Sequence, residues 1–483
     1  MMNSPKILKR LILLTLLFFL PFLGYSQEIH EWTLEECITY ARDHNINVKK
    51  QLLNVQLQEI NSTESKLTML PTLGGNATHV YNWGQTIDPF TNQFATERVR
   101  SNSFYVSTQM VIFSGFQKLN TLRKSQLDLN ISELEVEKMM NDISLNVVTF
   151  YLQALYNAEL LKISESQLEM VKLQRDRIKI LVESGSLAQG ELLNMEAQVA
   201  SAELQLVESR NNYELTLLQL SQLIDLEDSR GFSVVAPDLA DPSVNISLSP
   251  VDKIVHYALQ NQPEIISSRY RIQSAKKDFE ISRGSYSPTL TLNGSWGTGY
   301  SGASLEKDPN VAPDLITYPI GITQLTGDTV LGISAQYSYR VKPFSDQLKT
   351  NENQSLGLYL NIPIFNGYRS RDNVQRAKIA VANAELDLQL SQNNLRKLIV
   401  QAYADASAAL KKYVAAETKL HAQQESFNYA SEKYAVGLLN AVEYNQNKED
   451  LNKAQSELIQ AKYDFIFKTK ILDFYEGKPL VLY

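Results

Sequence analysis

Residues recur along this chain at two constant distances. Tyr40-Ala41 returns as Tyr257-Ala258 and Pro71 as Pro288, each 217 residues later, while Phe113-x-Gly115 returns as Phe365-x-Gly367, Tyr151 as Tyr403 and Gly185 as Gly437, each 252 later. Two fixed offsets mean two copies of one plan separated by a single insertion. Its length is the difference between 252 and 217, 35 residues, and it falls between Tyr300 and Gln354. A repeated plan sets the architecture before any motif is read.

Two stretches, Phe116 to Val182 and Tyr368 to Tyr434, contain neither proline nor glycine. In the first, Val136, Met140, Ile143, Val147, Tyr151, Ala154 and Leu161 recur at threes and fours, the spacing of one helix face. At 1.5 Å per residue such a helix is about 100 Å long, far more than a globular domain needs. Ser184-Gly185-Ser186 and Val436-Gly437-Leu438 then place glycine where a helix end wants a left-handed residue. Shorter helices are expected over 191–223 and 441–474, so each repeat holds an antiparallel helical hairpin. Thr33-x-x-Glu36 reads as a capping box opening a helix to about Lys66, and Ser249-Pro250 opens its counterpart to about Arg283.

Between opening helix and long helix the period changes to two. Leu73, Ala77, Tyr81 and Trp83 alternate with Thr72, Asn76, Thr78 and Asn82; Leu290, Leu292, Trp296 and Tyr300 alternate with Thr289, Thr291, Asn293 and Ser295. Phe104, Val106, Met110 and Ile112 form a third apolar set, and Leu356, Leu358, Leu360, Ile362 and Ile364 a fourth. These are four strands of about ten residues with one apolar and one polar face, and Trp83, Trp296 and Tyr300 near their ends suit membrane-interface aromatics. A soluble sheet resting on helices gives the same alternation.

The amino terminus favours the membrane. Lys6, Lys9 and Arg10 precede an apolar run from Leu11 to Leu23, and Gly24-Tyr25-Ser26 supplies small residues for a cut before Gln27, the pattern of a secretory signal peptide. Removing those three cations moves the formal charge from −7 to −10, which excludes nucleic acid as a natural partner. The single cysteine, Cys37, allows no internal disulfide, and His30, His44, His79, His256 and His421 show no metal-ligand spacing. No phosphate loop or nucleophile elbow is present, so no cofactor is expected. The domains expected are a signal peptide (1–26), a first repeat (27–226), a linker (227–250), a second repeat (251–475) with the insertion about 301–353, and a tail (476–483).

In lipid every strand edge must be paired, because each unsatisfied backbone group costs several kcal/mol. Four strands cannot close, whereas the smallest closed barrels have about eight, so the chain must pool strands with copies of itself. Three copies give twelve strands continued by twelve helices.

The chain resembles the TolC family of outer-membrane efflux proteins over about Thr33 to Phe474. The resemblance rests on the duplicated order of helix, strand, strand, long helix, turn and helix, on Phe-Ser-Gly-Phe at 113–116 and on Ile-Phe-Asn-Gly at 364–367. Glu432-Lys433-Tyr434-Ala435-Val436-Gly437 and Leu451-x-x-Ala454-x-x-Glu457-Leu458 extend it. It implies a mainly α fold with a membrane β-barrel: a homotrimer whose α-helical tunnel crosses the periplasm and continues into a shared 12-stranded barrel in outer-membrane lipid. It also implies a periplasmic adaptor protein and an inner-membrane efflux pump as partners. By the same resemblance Val436, Gly437 and Leu438 match an adaptor-docking turn, of which the first repeat keeps only Gly185. Glu443 matches the first acidic position of a tunnel constriction, whose second position holds Gln446. Glu191 matches an acid tying neighbouring coiled coils, and Tyr434 a tyrosine of the closed-state network, whose arginine is replaced by Leu439. Each of these acids also reads as a solvated helix-surface carboxylate. The insertion is expected at the cell exterior, with Tyr318-Pro319-Ile320-Gly321 and Ile333 to Tyr339 available for an extra hairpin.

The function expected is a passive outer-membrane channel of a tripartite efflux system, not an enzyme. A conduit for secreted protein of the type one kind shares the geometry. An exported coiled-coil adhesin or scaffold explains long helices without a barrel, and a glycosidase-like carboxylate pair fails for want of a pocket around the acids.

Overall fold

The computed structural model describes residues 30–95, 98–237 and 248–482, so the expected signal peptide and the middle of the expected linker, 238–247, lie outside the described residues. The chain divides into two units. One gathers residues up to Leu57, Asn130–Tyr270 and Leu386 onward; the other holds Gln58–Leu129 and Arg271–Glu385.

The duplication is exact in helix length. Helices α1 (Leu34–His44) and α2 (Ile46–Leu67) open the first repeat, and α3 (Gln117–Glu183) and α4 (Gln189–Leu223) close it. Their counterparts are α5 (Val251–Asn261), α6 (Pro263–Gly284), α8 (Arg369–Ala435) and α9 (Ala441–Tyr475), with α7 (Phe344–Thr350) inside the insertion. The long helices have 67 residues each and the returning helices 35.

The opening helix of each repeat is two helices, contrary to the single one expected. Asn45 adopts φ −59°, ψ 130° between α1 and α2, and its side chain accepts from the Asn47 amide (2.8 Å) and donates to the Leu223 carbonyl (2.9 Å). Gln262 breaks the second copy at the equivalent place because Pro263 follows it and disfavours a helical residue before it. The Thr33–Glu36 capping box is formed, both reciprocal bonds present.

The first unit carries the helical core. Val136, Ile143, Val147, Tyr151 and Ala154 of α3 pack on Leu34, Cys37 and Ala41 of α1 and Leu220 of α4. Strands β1 (Glu31–Trp32) and β6 (Ser233–Val234) pair in parallel, and the Tyr151 hydroxyl lies 2.7 Å from the Val235 carbonyl and 3.1 Å from that of Trp32, one proton shared by two acceptors. A second cluster joins Ile254, Val255 and Ala258 of α5 to Leu395, Ile399 and Ala406 of α8. Tyr151 and Ile399 come from the repeat-spaced apolar stripe, which is why both cores form at matching positions.

The second unit carries the sheet. Strands β2 (Thr72–Asn82), β5 (Val99–Ser114), β7 (Thr289–Ser301) and β12 (Asn353–Asn361) form one antiparallel sheet in the order β12-β7-β5-β2. A small hairpin, β3 (Thr86–Ile87) and β4 (Phe94–Ala95), lies between β2 and β5. The fourth strand stops at Asn361, short of the expected Ile362 and Ile364, because Pro363 has no amide to give the ladder.

At each junction of sheet and long helix two consecutive residues are left-handed: Gly115 and Phe116 (φ 62° each), and Gly367 and Tyr368 (φ 64° and 61°). A side chain at 115 would strike the Gly284 carbonyl at 2.5 Å, and one at 284 the Gly115 carbonyl at 2.7 Å, so both glycines are needed for the approach. Phe113 and Phe116 meet edge to face at 5.5 Å, as do Phe365 and Tyr368 at 5.6 Å, which holds the strained aromatic in place twice over.

The insertion is structured. Within it β8 (Leu305–Lys307) pairs with β11 (Tyr339–Val341), and β9 (Asp314–Ile322) with β10 (Thr329–Gln336), so the extra hairpin is present and Tyr339 belongs to a second, shorter one. Helix α7 was not legible; it caps β7, where Gln347 accepts from the Ser301 amide (2.8 Å) and donates to the Ser301 carbonyl (2.9 Å).

Candidate functional site: the sheet face and the helical turns

Register decides the chemistry of the sheet. Leu290, Leu292, Gly294, Trp296 and Thr298 of β7 lie opposite Phe113, Met110, Thr108, Val106 and Phe104 of β5. On the other side Leu360, Leu358, Leu356 and Gln354 of β12 face Leu290 to Trp296, and Leu73, Gly75 and Ala77 of β2 face Thr108, Val106 and Phe104. A bulge after Val111 puts Phe113 opposite Leu290 in place of the expected Ile112, and with that change the apolar sets of all four strands share one face. From Leu290 to Thr298 these rows run about 26 Å along the strand, or about 19 Å in height on strands tilted roughly 45°, most of the roughly 25 Å apolar band of an outer-membrane barrel. The opposite face holds Asn76, Thr78, Ser103, Ser107, Gln109, Asn293, Ser295, Ser355 and Asn361, with Ser295 and Ser355 hydrogen-bonded at 2.7 Å and Thr78 bonded to Ser103.

The outer end of the apolar face turns polar, with His79 bonded to Asn102 and Arg100 to the Tyr300 hydroxyl (3.0 Å). Trp83 and Trp296 are 72% and 43% exposed, and the Trp296 indole donates to Glu352 at 2.9 Å. Tyr300 departs from its expected placement as an interface aromatic. It is 7% exposed because α7 lies over it, Phe344 at 5.3 Å on one side and the Arg100 guanidinium 4.9 Å from the ring centre.

Both outer strands of the sheet, β2 and β12, have one neighbour each. Among the described residues no helix is long and apolar enough to cross a membrane, and no group of His, Cys, Asp or Glu gathers as a metal site.

In the first unit, both helix-to-helix turns are built alike. Gly185 (φ 73°) gives its amide to the Val182 carbonyl while Ser186 reaches Leu181; Gly437 (φ 77°) bonds Tyr434 while Leu438 reaches Lys433. This is the six-to-one plus five-to-two bonding of a Schellman end. Val436 and Leu438 stand out in solvent beside Gly437. Asn440 then caps α9 by accepting from the Glu443 amide (2.9 Å), whereas Ala188 before α4 offers no side-chain cap.

Tyr434 is drawn into an aromatic cluster that sequence reasoning missed. Its ring stacks on Tyr444 at 4.5 Å, with Phe427 at 5.6 Å from the same ring. Gln174 of α3 donates to the Tyr444 hydroxyl (2.7 Å) and accepts from the Lys448 amine (3.4 Å), joining the hairpins of the two repeats. Lys448 is only 5% exposed, and burial lowers its pKa; burial raises that of Tyr444. Lys448 is thus a buried cation one helical turn beyond Tyr444, while the position where the family resemblance leads one to expect an arginine holds half-buried Leu439. Gln174 and Lys448 lie 274 residues apart, so no local signal could have paired them. Glu443, Gln446 and Glu191 stand apart from the cluster. Glu443 and Gln446 are exposed on α9, Gln446 donating to Asp450 at 3.3 Å, and Glu191 is half-buried in the first turn of α4.

A sheet with one continuous apolar face, joined to long breaker-free helices through paired glycine joints in a duplicated chain, defines an outer-membrane channel of the barrel-and-helical-tunnel class. The family described as outer membrane efflux protein matches residues 38–225 and 254–467, and the chain belongs to it. It is 21% identical to the outer membrane protein TolC of Escherichia coli K12 over 459 residues, 94% of this chain and 84% of TolC. It is also 21% identical to the alkaline protease secretion protein AprF of Pseudomonas aeruginosa, over 85% of this chain and 77% of AprF. Among solved structures it is similar to CusC (TM-score 0.73, 15% identity, 92% of each chain) and to the CmeC outer membrane channel of Campylobacter jejuni (TM-score 0.69, 17% identity, 92% of this chain and 85% of CmeC).

Proposed function

We propose that three copies of this chain close their four-stranded sheets into one twelve-stranded barrel, and that the assembly is the passive outer-membrane conduit of a tripartite efflux system. The observation that carries this reading is the sheet: a continuous apolar face bounded by two strands with free edges, which hydrocarbon does not tolerate. Val436, Gly437 and Leu438, exposed beside a rigid Schellman end, and Gly185 in the first turn are the docking points for a periplasmic adaptor. Glu443 contributes one carboxylate per protomer to a ring near the tunnel axis, where three like charges attract cations and repel anions. The tie from Gln174 to Tyr444 and Lys448 holds the two hairpins of one protomer together and must break or rearrange when the turns spread. Energy comes from an inner-membrane pump, which also selects the cargo.

Light scattering of the detergent-purified protein together with planar-bilayer recording tests the reading. A mass of three chains and discrete, long-lived ionic conductance are expected. A monomer that stays soluble without detergent, or a trimer that does not conduct, refutes it.

A further inference from the structure

The hairpin β9–β10 has two apolar faces and almost no charge. Leu315, Leu331 and Ile333 lie on one face, and Ile316, Tyr318 and Ile320 on the other, all between 44% and 73% exposed. From Asp314 to Gln336 the only charged side chains are Asp314 and Asp328, one at the root and one beside the tip; Leu325 at the tip is fully exposed. An isolated two-stranded ribbon is marginal in water, and one that is apolar on both sides needs a neighbour on both sides.

The insertion that carries the ribbon is held firmly at its base. Gln347 of α7 is fully buried and holds both backbone groups of Ser301, whose hydroxyl donates to the buried carboxylate of Asp88, while Phe344 packs on Phe104 and Tyr300. This root adjoins the start of β12, the sheet edge to which the next protomer adds its own β2 under the trimeric reading proposed above. In a ring of three each copy has two neighbours and meets them through two different faces. A cyclic ring is the arrangement that supplies one apolar partner to each side of a two-faced ribbon.

We infer that the hairpins of neighbouring copies pack face to face, Leu315, Leu331 and Ile333 of one against Ile316, Tyr318 and Ile320 of the next, to form a collar at the outer rim of the barrel. Each face exposes on the order of 300 Å², below the roughly 800 Å² that one partner buries in a standard interface, so the collar adds to the barrel seam rather than holding the assembly together by itself. Its occupant is a second copy of this chain, not lipid and not a foreign protein.

The test uses the full-length protein in native outer-membrane vesicles. The double variant Tyr318→Cys/Ile333→Cys places thiols on opposite faces of one ribbon, where they cannot join within it but can join between neighbours. On mild oxidation it is expected to give dimers and trimers about tenfold or more faster than either single variant, because assembly fixes a high local concentration. Ile320→Glu, which puts a charge into the packed face, is expected to lower the temperature at which the trimer dissociates in detergent. Absence of intersubunit linkage in a trimer of correct mass overturns the collar and leaves the trimeric reading standing; absence of the trimer overturns both. Quenching by brominated phospholipid of the fluorescence that Leu325→Trp adds to a Trp83→Phe/Trp296→Phe background identifies lipid as the occupant and overturns the proposal. Rapid labelling of both cysteines by a bulky maleimide in the assembled trimer, which marks the faces as open, does so too.

Discussion

The duplication specifies how neighbouring protomers join, residue by residue. Inside one chain the second strand of repeat one, β5, pairs with the first strand of repeat two, β7, with Ser103 opposite Gly299, Tyr105 opposite Gly297, Ser107 opposite Ser295 and Gln109 opposite Asn293. In the trimer proposed above, the corresponding seam between chains joins the second strand of repeat two, β12, to the first strand of repeat one, β2, of the next protomer. Advancing each β5 residue by 252 and moving each β7 residue back by 217 converts those pairs into Ser355–Asn82, Gly357–Val80, Tyr359–Thr78 and Asn361–Asn76. On the lipid side the same step sets Leu356 against Tyr81, Leu358 against His79 and Leu360 against Ala77. Opposed side chains in such a ladder have Cβ atoms about 4.5–5.5 Å apart and diagonal ones about 7–8 Å, while a disulfide needs roughly 3.5–4.5 Å.

The double variant Thr78→Cys/Tyr359→Cys is therefore expected to form a covalent trimer on oxidation. The same Thr78→Cys combined with Gly357→Cys or Asn361→Cys, one diagonal off, is expected to link far more slowly. Native Cys37 does not compete, since it is fully buried with its thiol pushed up to about 12. Denaturing gel electrophoresis of membranes oxidised for increasing times reads the result. A maximum at either diagonal pair places the seam two residues away and refutes the inheritance of register; no linkage at any of the three refutes strand addition at this edge.

The other expectations concern the turns and joints. Lys448→Met removes an amine whose pKa burial holds below the usual 10.5, so the unfolded chain binds more protons than the folded one between that lowered value and 10.5, and stability rises with pH across this window. Below it the lysine is charged in both states and the full penalty applies; thermal unfolding at pH 7 should then show the variant more stable by roughly 1–2 kcal/mol, with the alkaline rise in stability gone. A destabilised variant would show that the bond from Lys448 to Gln174 outweighs the desolvation of the amine and refute this reasoning. Glu443→Gln is expected to reduce the cation preference of single channels, and an unchanged reversal potential in a salt gradient removes Glu443 from the constriction. Gly437→Pro loses the amide bond to Tyr434 and forbids a φ of 77°, so export measured by drug accumulation should fail while trimers still reach the outer membrane. Gly115→Ala meets the Gly284 carbonyl in a left-handed joint and should cost about 2 kcal/mol or more, lowering the yield of heat-resistant trimer; the same change at Gly367, which has open space around it in one chain, should cost less.

Much of the architecture was legible in local patterns. Freedom from proline and glycine over Phe116 to Val182 and Tyr368 to Tyr434 set two long helices, Gly185 and Gly437 ended them, and alternation around Leu73, Leu290, Val106 and Leu358 set four strands. These properties depend on neighbours within a few residues, and two constant offsets carried them from one repeat to the other. The breaks at Asn45 and Gln262 were less visible, since Asn45 needs the Leu223 carbonyl, far along the chain, to hold its conformation. Likewise Tyr300 reads as an interface aromatic until α7, folded from a segment with no repeat partner, covers it.

By itself, then, the order of residues determined periodicity, element length, the duplication and the family to which the chain belongs, because each of these is written in spacings that survive without folding. Only the tertiary structure decided that four separate apolar alternations fall on one face and that Gln174 bridges to Tyr444 and Lys448. Those outcomes depend on register and on groups brought together from more than 200 residues apart, and a linear pattern holds no information about which distant partner a side chain will meet until packing has chosen it.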